Sequence, residues 1–504
     1  MNTTPDFDLC VIGAGINGAG IARDAAMRGL SVLLVEAQDI AGATSSASTK
    51  LIHGGLRYLE TYQFRLVRES LQEREVLMHL APHIIKPLDF VMPHTQDLRP
   101  AWMIRTGLFI YDHLGGKRSL PASHGVDFRK DPCGRPLKDI YKTGYHYSDC
   151  WVEDSRLVVL NVLSAAEHGA RIMTRTACVG LEPSPDKSCW HIKLRNISIN
   201  YEGTFTARSV INATGPWVRK FLEGCQLATA QTPQVRLVKG SHIIVPRLYE
   251  GSHTFLLQQP DRRVVFVIPY EGNYTLIGTT DVEFNGDPAG VAIDSKETEY
   301  LVKAVNLYFK SQISIKHVYW TYSGVRPLVD DGDSNASNIT RDYQLVPDQS
   351  HGPLMISVFG GKLTTYRKLS QHAVDQLFKL QAYKFKKSIS HTEPLPGGDI
   401  PRTMERFLKI QTRHYPWLTE SLLSRYAHTY GTRMDILLKN KQNMNDLGRY
   451  FGDGLYEAEI DYLTKHEWAR TLDDILWRRT KLGLHVSDAT YVNLNAYEPF
   501  KAAS

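Results

Sequence analysis

Residues 8–36, DLCVIGAGINGAGIARDAAMRGLSVLLVE, constrain the fold of this chain more than any other stretch. A short apolar strand ends at Ile12, a turn carries Gly13, Gly15 and Gly18, a helix with Asn17 in its first turn runs to about Arg28, and a second strand ends in Glu36. One glycine makes the tight turn, one lets the backbone approach a pyrophosphate, and one lets the helix pack close to the strand. Phosphates then sit at the helix N-terminus, where free N–H groups and the helix dipole favour negative charge. Glu36 follows where a carboxylate can accept the ribose hydroxyls of an adenine dinucleotide and disfavour a 2′-phosphate. FAD or NAD is expected before NADP, and the position of the unit at the start of the chain leans, by analogy, toward FAD.

A chain of 504 residues is long for one domain, and two or three are expected. Its 42% hydrophobic and 22% charged residues are those of a globular protein, with no run of apolar residues long enough to cross a membrane and no secretory signal at the polar N-terminus. The six cysteines, Cys10, Cys133, Cys150, Cys178, Cys189 and Cys225, form no CxxC pair, so a reducing compartment and no metal site are expected. The net charge of +6 suits an anionic substrate or membrane surface, and no nucleic-acid module is apparent.

After Glu36 a loop rich in small and hydroxyl residues offers Thr44, Ser45 and Ser46 to a pyrophosphate or ribityl chain, then reaches His53, Gly54, Gly55, Arg57 and Tyr58. Residues 64–80 have the spacing of an amphipathic surface helix. The basic, aromatic stretch from Leu98 to Arg118 reads either as a membrane-interface segment or as a buried helix with snorkelling arginines. A strand at 208–215 returns to the nucleotide sheet with Thr214 and Gly215 at its carboxyl end. GSHIIVP, RRVVFVIPY and YTLIGTTD are strands of a second, antiparallel domain, and FGGKLTTYR is a second strand-to-helix turn that presents Gly360, Gly361, Lys362, Leu363 and Thr364 to the flavin end of a cofactor. Beyond about Lys387 the pattern is helical without sheet signal, with Trp417, Trp468 and Trp477 as packing anchors.

The expected fold is α/β plus α. A Rossmann-like FAD-binding domain comprises residues 1–60, 150–215 and 350–387. An inserted antiparallel-sheet substrate domain takes 61–149 and 216–349, and a C-terminal helical domain takes 388–504.

IGAGINGAGIARDAAMRG, TSSASTKLIHGGLRYLE, RPAWMIRTGLFIYDHL, VKGSHIIVP, IGTTDVE, TYSGVRPL and FGGKLTTYR together resemble the FAD-dependent, membrane-associated glycerol-3-phosphate dehydrogenases, the aerobic respiratory type of bacteria with a similar mitochondrial counterpart. Ala14 and Ser370 depart from the family's usual glycine and alanine, and neither removes a side chain that chemistry needs. The resemblance implies oxidation of sn-glycerol 3-phosphate to dihydroxyacetone phosphate, with the hydride taken by FAD and the electrons delivered to ubiquinone or menaquinone. It implies a peripheral protein on the cytoplasmic face of the inner membrane, without a spanning helix. Oligomeric state stays open, a homodimer included.

Arg57, Arg326 and Lys362 match the cations that a phosphate dianion needs, and Tyr58 and Thr279 match pocket-lining positions. His242 is the candidate base for the C2 hydroxyl, since an unperturbed imidazole titrates near neutrality. Each has a structural rival: Arg326 could pair with Asp330 or Asp331, His242 could be a core histidine, and Lys362 could orient the flavin instead. An oxygen-using glycerophosphate oxidase and an amine-oxidising flavoprotein of the same fold are the competing enzymes, and a flavin-bound scaffold or redox sensor without turnover is the competing class.

Overall fold

A computed structural model describes residues 4–95, 99–196, 198–329 and 342–497. Leu98, Asp330 and Asp331 lie outside the described residues.

The first sheet has eight strands. Its centre is a parallel set in which Phe7–Ile12 lies between Val32–Val35 and Tyr201–Asn212, with Arg171–Met173 beyond the first and Met355–Phe359 beyond the second. Such strands are covered on both faces, and Val32–Val35 and Met355–Phe359 are buried throughout. One cover is the helix Ile16–Met27, whose small residues Ala19, Ala22 and Ala25 let it lie against the helices Asp154–Glu167 and Tyr366–Leu380. Ser370, the departure from the family's alanine, is accommodated because it faces Gly20, where an added Cβ would come within 2.4 Å of its hydroxyl.

The second sheet has ten strands. Nearly all its pairings are antiparallel, as expected, but Thr254–Gln258 runs parallel to Ile85–His94. That pairing joins two distant segments of chain, which no hairpin pattern in the sequence could disclose. Leu51–Ile52 pairs with Thr143–Val152 and so also belongs to this sheet, while Gln344–Asp348 pairs with Met355–Phe359 in the first.

The helix Phe64–Leu80 has the expected bounds and buries Leu66, Val67, Leu71 and Leu77 along one stripe. The helix Ala101–Leu114 is two-faced: Ile104, Leu108 and Tyr111 are buried, whereas Trp102 and Phe109 are 71% and 64% exposed. No helix among the described residues is long and apolar enough to cross a membrane.

The C-terminal region is helical around its own core of Phe407, Leu423, Tyr426, Tyr430 and Leu463, with a small hairpin, Tyr450–Gly452 and Leu455–Tyr456, that the helical pattern did not announce. Trp417 packs on that core. Trp468 packs on the core of the first sheet, and Trp477 stacks on Trp320 with ring centroids 4.4 Å apart, so these two anchor the region to its neighbours. Charge completes the seam. Arg479 donates two hydrogen bonds to Asp39, both at 2.8 Å, and Arg478 donates a third, which fastens the loop that follows Glu36.

Candidate active site

Backbone builds the nucleotide end of the site. Gly13 has φ +101°, and a Cβ there would stand 2.7 Å from the Ala213 carbonyl oxygen. A Cβ on Gly18 would stand 1.9 Å from the Gly13 oxygen, so strand and helix meet only because both positions lack one. Gly15 leaves room for Ser45, whose Oγ accepts from the Ile16 N–H at 2.9 Å. Glu36 accepts from the N–H groups of Ala14 at 2.7 Å and Gln38 at 2.8 Å, and burial pushes its carboxyl pKa up against those bonds.

The other two hydroxyls of the 44–46 turn are engaged locally, since Thr44 Oγ1 donates to the Val325 carbonyl at 2.7 Å and Ser46 Oγ to that of Ala43 at 3.1 Å. Asn17 Nδ2 reaches across to the Gly360 carbonyl at 3.1 Å, which joins the first glycine turn to the second. Gly360 and Gly361 have φ of +76° and +102°, and Leu363 and Thr364 close that turn, Thr364 Oγ1 donating to the His53 carbonyl at 3.4 Å. Gly215, at φ +55°, has open space where its Cβ would be.

These features fit an adenine dinucleotide. The glycines leave a cradle that a Cβ would fill, and Asn17 Oδ1 is buried with no hydrogen-bond partner among the described residues. A cavity of about 330 Å³ opens beside the 44–46 turn, walled by Trp217, Tyr322, Trp320 and Trp477.

Side chains build the other end, on one face of the second sheet. The strand Val235–Pro246 carries Gly240 and His242, and in the adjacent strands Gly324, Tyr322 and Gly278 share that face. His242 is 1% exposed, and its ring stacks on Tyr322 with centroids 4.7 Å apart. Its Nε2 is 2.9 Å from Thr49 Oγ1. A Cβ on Gly278 would stand 2.0 Å from the imidazole, so this glycine makes its berth.

The ordinary imidazole value assumed from the sequence does not hold here. Burial, then the positive charges of Arg326 and Lys50, holds the His242 pKa well below the usual range, and the ring is neutral.

Arg326 Nη1 donates to Asp281 at 3.0 Å and Nη2 to Thr279 Oγ1 at 3.3 Å. It therefore does have a carboxylate partner, at a position that sequence reading did not name. Gly240 opens the space for this guanidinium, because a Cβ there would lie 2.6 Å from Nη2. Lys362 Nζ lies 4.0 Å from the centre of the Tyr58 ring, and Arg57 and Tyr58 sit together on the short helical turn Leu56–Thr61. The field of Arg57 reaches Tyr300, whose ring is covered at 3.9 Å by the guanidinium of Arg263.

Sequence reading missed Thr49, Lys50, Tyr322, Asp281 and Arg263. Lys50 is buried against Asp154 at 2.8 Å, Ser48 Oγ donates to the same carboxylate at 2.7 Å, and Tyr322 Oη donates to the Ser48 carbonyl at 2.8 Å. Together these bonds hold Thr49 against His242. A buried lysine preceded by hydroxyl residues in TSSASTK was the available signal, but its partner Asp154 lies 104 residues away.

A glycine cradle at the switch of a parallel sheet, beside the sheet face that carries His242 and Arg326, defines a dinucleotide-binding α/β protein. The family described as FAD dependent oxidoreductase matches residues 8–367, and the C-terminal domain of alpha-glycerophosphate oxidase matches 388–496. A glycerol-3-phosphate dehydrogenase of Pseudomonas aeruginosa is 52% identical over 97% of this chain and 94% of its own length, and a D-erythritol 1-phosphate dehydrogenase of Brucella abortus is 48% identical over 96% and 95%. A crystal structure of the glycerol-3-phosphate dehydrogenase from Bacillus halodurans complexed with FAD is similar at 25% identity and a TM-score of 0.77, covering 97% of this chain and 88% of that one. The chain belongs to the FAD-dependent glycerol-3-phosphate dehydrogenase family.

Proposed function

We propose that this chain oxidises sn-glycerol 3-phosphate to dihydroxyacetone phosphate and delivers the electrons to ubiquinone or menaquinone at a membrane surface. The observation that carries the substrate reading is Arg326, held by Asp281 and Thr279 on the sheet face that also carries the buried, neutral His242. Lys362, over the ring of Tyr58, and Arg57, on the same turn as Tyr58, are the further cations of this reading. Arg326 offers the phosphate a planar fork whose orientation Asp281 fixes, and Lys362 adds a point charge.

FAD, when bound, supplies the two-electron acceptor for the C2–H bond. His242 takes the proton of the C2 hydroxyl. In the free protein its basicity is suppressed by burial and by the fields of Arg326 and Lys50. A phosphate dianion resting on Arg326 offsets part of that field, so the imidazole becomes a better base once substrate is in place. Thr49 and Tyr322 hold the ring during the transfer, and Gly278 keeps bulk away from it.

Membrane attachment is peripheral in this reading, through the helix Ala101–Leu114. The exposed Trp102, Met103 and Phe109, with Arg105, form the mixed apolar and basic surface that an anionic interface accepts.

The test is anaerobic: sn-glycerol 3-phosphate is added to the purified flavoprotein, then a soluble quinone, then air. Bleaching followed by fast recovery with quinone and slow recovery in air is expected. Fast recovery in air would favour an oxidase, and a flavin that never bleaches would defeat the substrate assignment. Because one relative acts on D-erythritol 1-phosphate, both phosphates belong in the assay, and a higher kcat/KM for the tetritol phosphate would reassign the substrate. Co-sedimentation with phosphatidylglycerol vesicles, lost in a Trp102→Ser, Phe109→Ser double variant, tests the membrane contact.

A further inference from the structure

We propose that Asp131, Cys133 and His146 form a zinc-type metal site, a second built site outside the redox centre. It lies on the other face of the ten-stranded sheet. His146 pairs with Val91, Val91 with Phe255, Phe255 with Val267, Val267 with Ile277 and Ile277 with Ile243, so all share one face. Alternation places His242, the next residue to Ile243, on the opposite face. Four strands of the sheet order separate the strand of His146 from that of His242.

The geometry is that of a ligand set. Asp131 accepts from the Cys133 N–H at 2.9 Å, which shapes the turn Pro132–Gly134 and sends carboxylate and thiol to the same side. Cys133 is 4% exposed, and its Sγ stands 3.6 Å from His146 Nε2. The ligating atoms of all three residues lie within 4.8 Å of one another. Zinc bonds of about 2.3 Å to sulfur and about 2.0–2.1 Å to nitrogen, at a tetrahedral angle, put the two atoms about 3.5 Å apart. The observed separation is that edge.

Two neighbours complete the surroundings. His124, opposite His146 in register, stacks on it with ring centroids 4.9 Å apart and restrains the ring that would coordinate. His253 packs against Phe255 and Tyr249, and its Nε2 is buried with no hydrogen-bond partner among the described residues. The three residues leave the fourth position of the ion to water.

One thiolate, one carboxylate and neutral imidazole balance a divalent charge, and sulfur with nitrogen selects zinc over magnesium or calcium. Burial keeps the metal-free thiol protonated. Binding replaces the Sγ–H bond by Sγ–Zn and releases one proton to solvent. The ion would tie the turn after His124–Asp127 to the strand Thr143–Val152, and its role is structural. The cysteine arithmetic of the sequence missed the site because the thiol has no cysteine partner at metal-site spacing.

The experiment uses untagged holoenzyme, stripped with a chelator, desalted and titrated with Co²⁺, while Zn²⁺ in the purified protein is counted by mass spectrometry. The expected result is one metal ion per chain and cobalt ligand-field bands in the red, clear of the flavin. Cys133→Ser and His146→Gln should weaken binding by more than the roughly 10–100-fold that an outer-shell loss costs, with flavin content and substrate bleaching retained. Bands of unchanged strength in Cys133→Ser, or none in the wild type, would reduce the cluster to a thiol–imidazole hydrogen bond and overturn the proposal. Should the variants fail to fold, X-ray absorption on the zinc-loaded wild type decides it: one sulfur scatterer supports the site, and an all-nitrogen-and-oxygen shell overturns it.

Discussion

The nucleotide turn and the cation-lined floor are made of different materials. At the turn, Gly13 and Gly18 act by what they lack, and the polar partners there are largely backbone N–H groups. The proposed floor draws His242, Arg326, Lys362 and Arg57 from four separate segments, and other side chains hold three of them: Thr49 for His242, Asp281 for Arg326, Tyr58 for Lys362. A site made of backbone is intolerant of one extra carbon and indifferent to nearby charge. A site made of borrowed side chains tolerates repacking and fails when one charge or hydrogen bond is removed.

Gly18→Ala tests the first half of that contrast most severely. Its Cβ would fall 1.9 Å from the Gly13 oxygen, backbone against backbone, with no flexible side chain to yield. Destabilisation of about 4 kcal/mol or more is expected, read as loss of bound flavin and a collapsed thermal midpoint. A variant that purified yellow with a wild-type midpoint would break the comparison at its stronger end.

Arg326→Ala tests the second half. It removes the planar fork and leaves Asp281 without its guanidinium. A charge-assisted bond to phosphate of about 3 kcal/mol corresponds to roughly a 100-fold fall in kcat/KM, carried mainly by KM, with flavin occupancy unchanged. An unaltered KM would remove Arg326 from the substrate. Loss of flavin would show that the two regions are not separable.

Charge at the seam with the C-terminal region gives a milder test. His83 is buried, both ring nitrogens lack hydrogen-bond partners among the described residues, and burial with the nearby Arg156 lowers its pKa to about 3. Its folded pKa is below its unfolded value of about 6.5, so the unfolded chain binds the extra proton and stability is lost as pH falls below about 6.5. The loss approaches about 1.4 kcal/mol per pH unit for this one group, or about 2 kcal/mol by pH 5. The urea midpoint should fall over that range, and less steeply in His83→Leu. Equal slopes would mean that His83 is not the group that titrates.

The same contrast explains what was legible in the sequence. GAGING and GGKLT can be read because glycines sit close together in the chain, and for the first of them the strand, helix and acid that it requires all fall within residues 7–36. The helix at 64–80 was legible from its spacing. The parallel pairing of Thr254–Gln258 with Ile85–His94 was not, since it joins segments about 165 residues apart, and neither was the hairpin at 450–456, which is too short to show a period. On the floor, residue types that suit phosphate drew notice to Arg326 and Lys362, whereas Asp281, Thr49 and Lys50 matter only through partners brought to them by the sheet. The depressed basicity of His242 was likewise out of reach, because it comes from burial and from charges carried on two other segments.

Thr49 gives the subtlest test, because its side-chain hydroxyl is engaged with the imidazole of His242. Its Oγ1 lies 2.9 Å from His242 Nε2, while the bonds from Ser48 and Lys50 to Asp154 keep the loop in place whatever stands at position 49. Thr49→Val keeps the shape and removes the hydrogen bond, so the ring retains its stacking on Tyr322 but loses its rotational anchor. A neutral hydrogen bond of about 1.4 kcal/mol predicts roughly a tenfold slower flavin reduction at saturating substrate, with KM and flavin content near wild type. Thr49→Ser should restore most of the rate, since it returns the hydroxyl. If Thr49→Val instead raised KM and left reduction unchanged, the hydroxyl would belong with the groups that bind substrate, and the base would have to be held by Tyr322 alone.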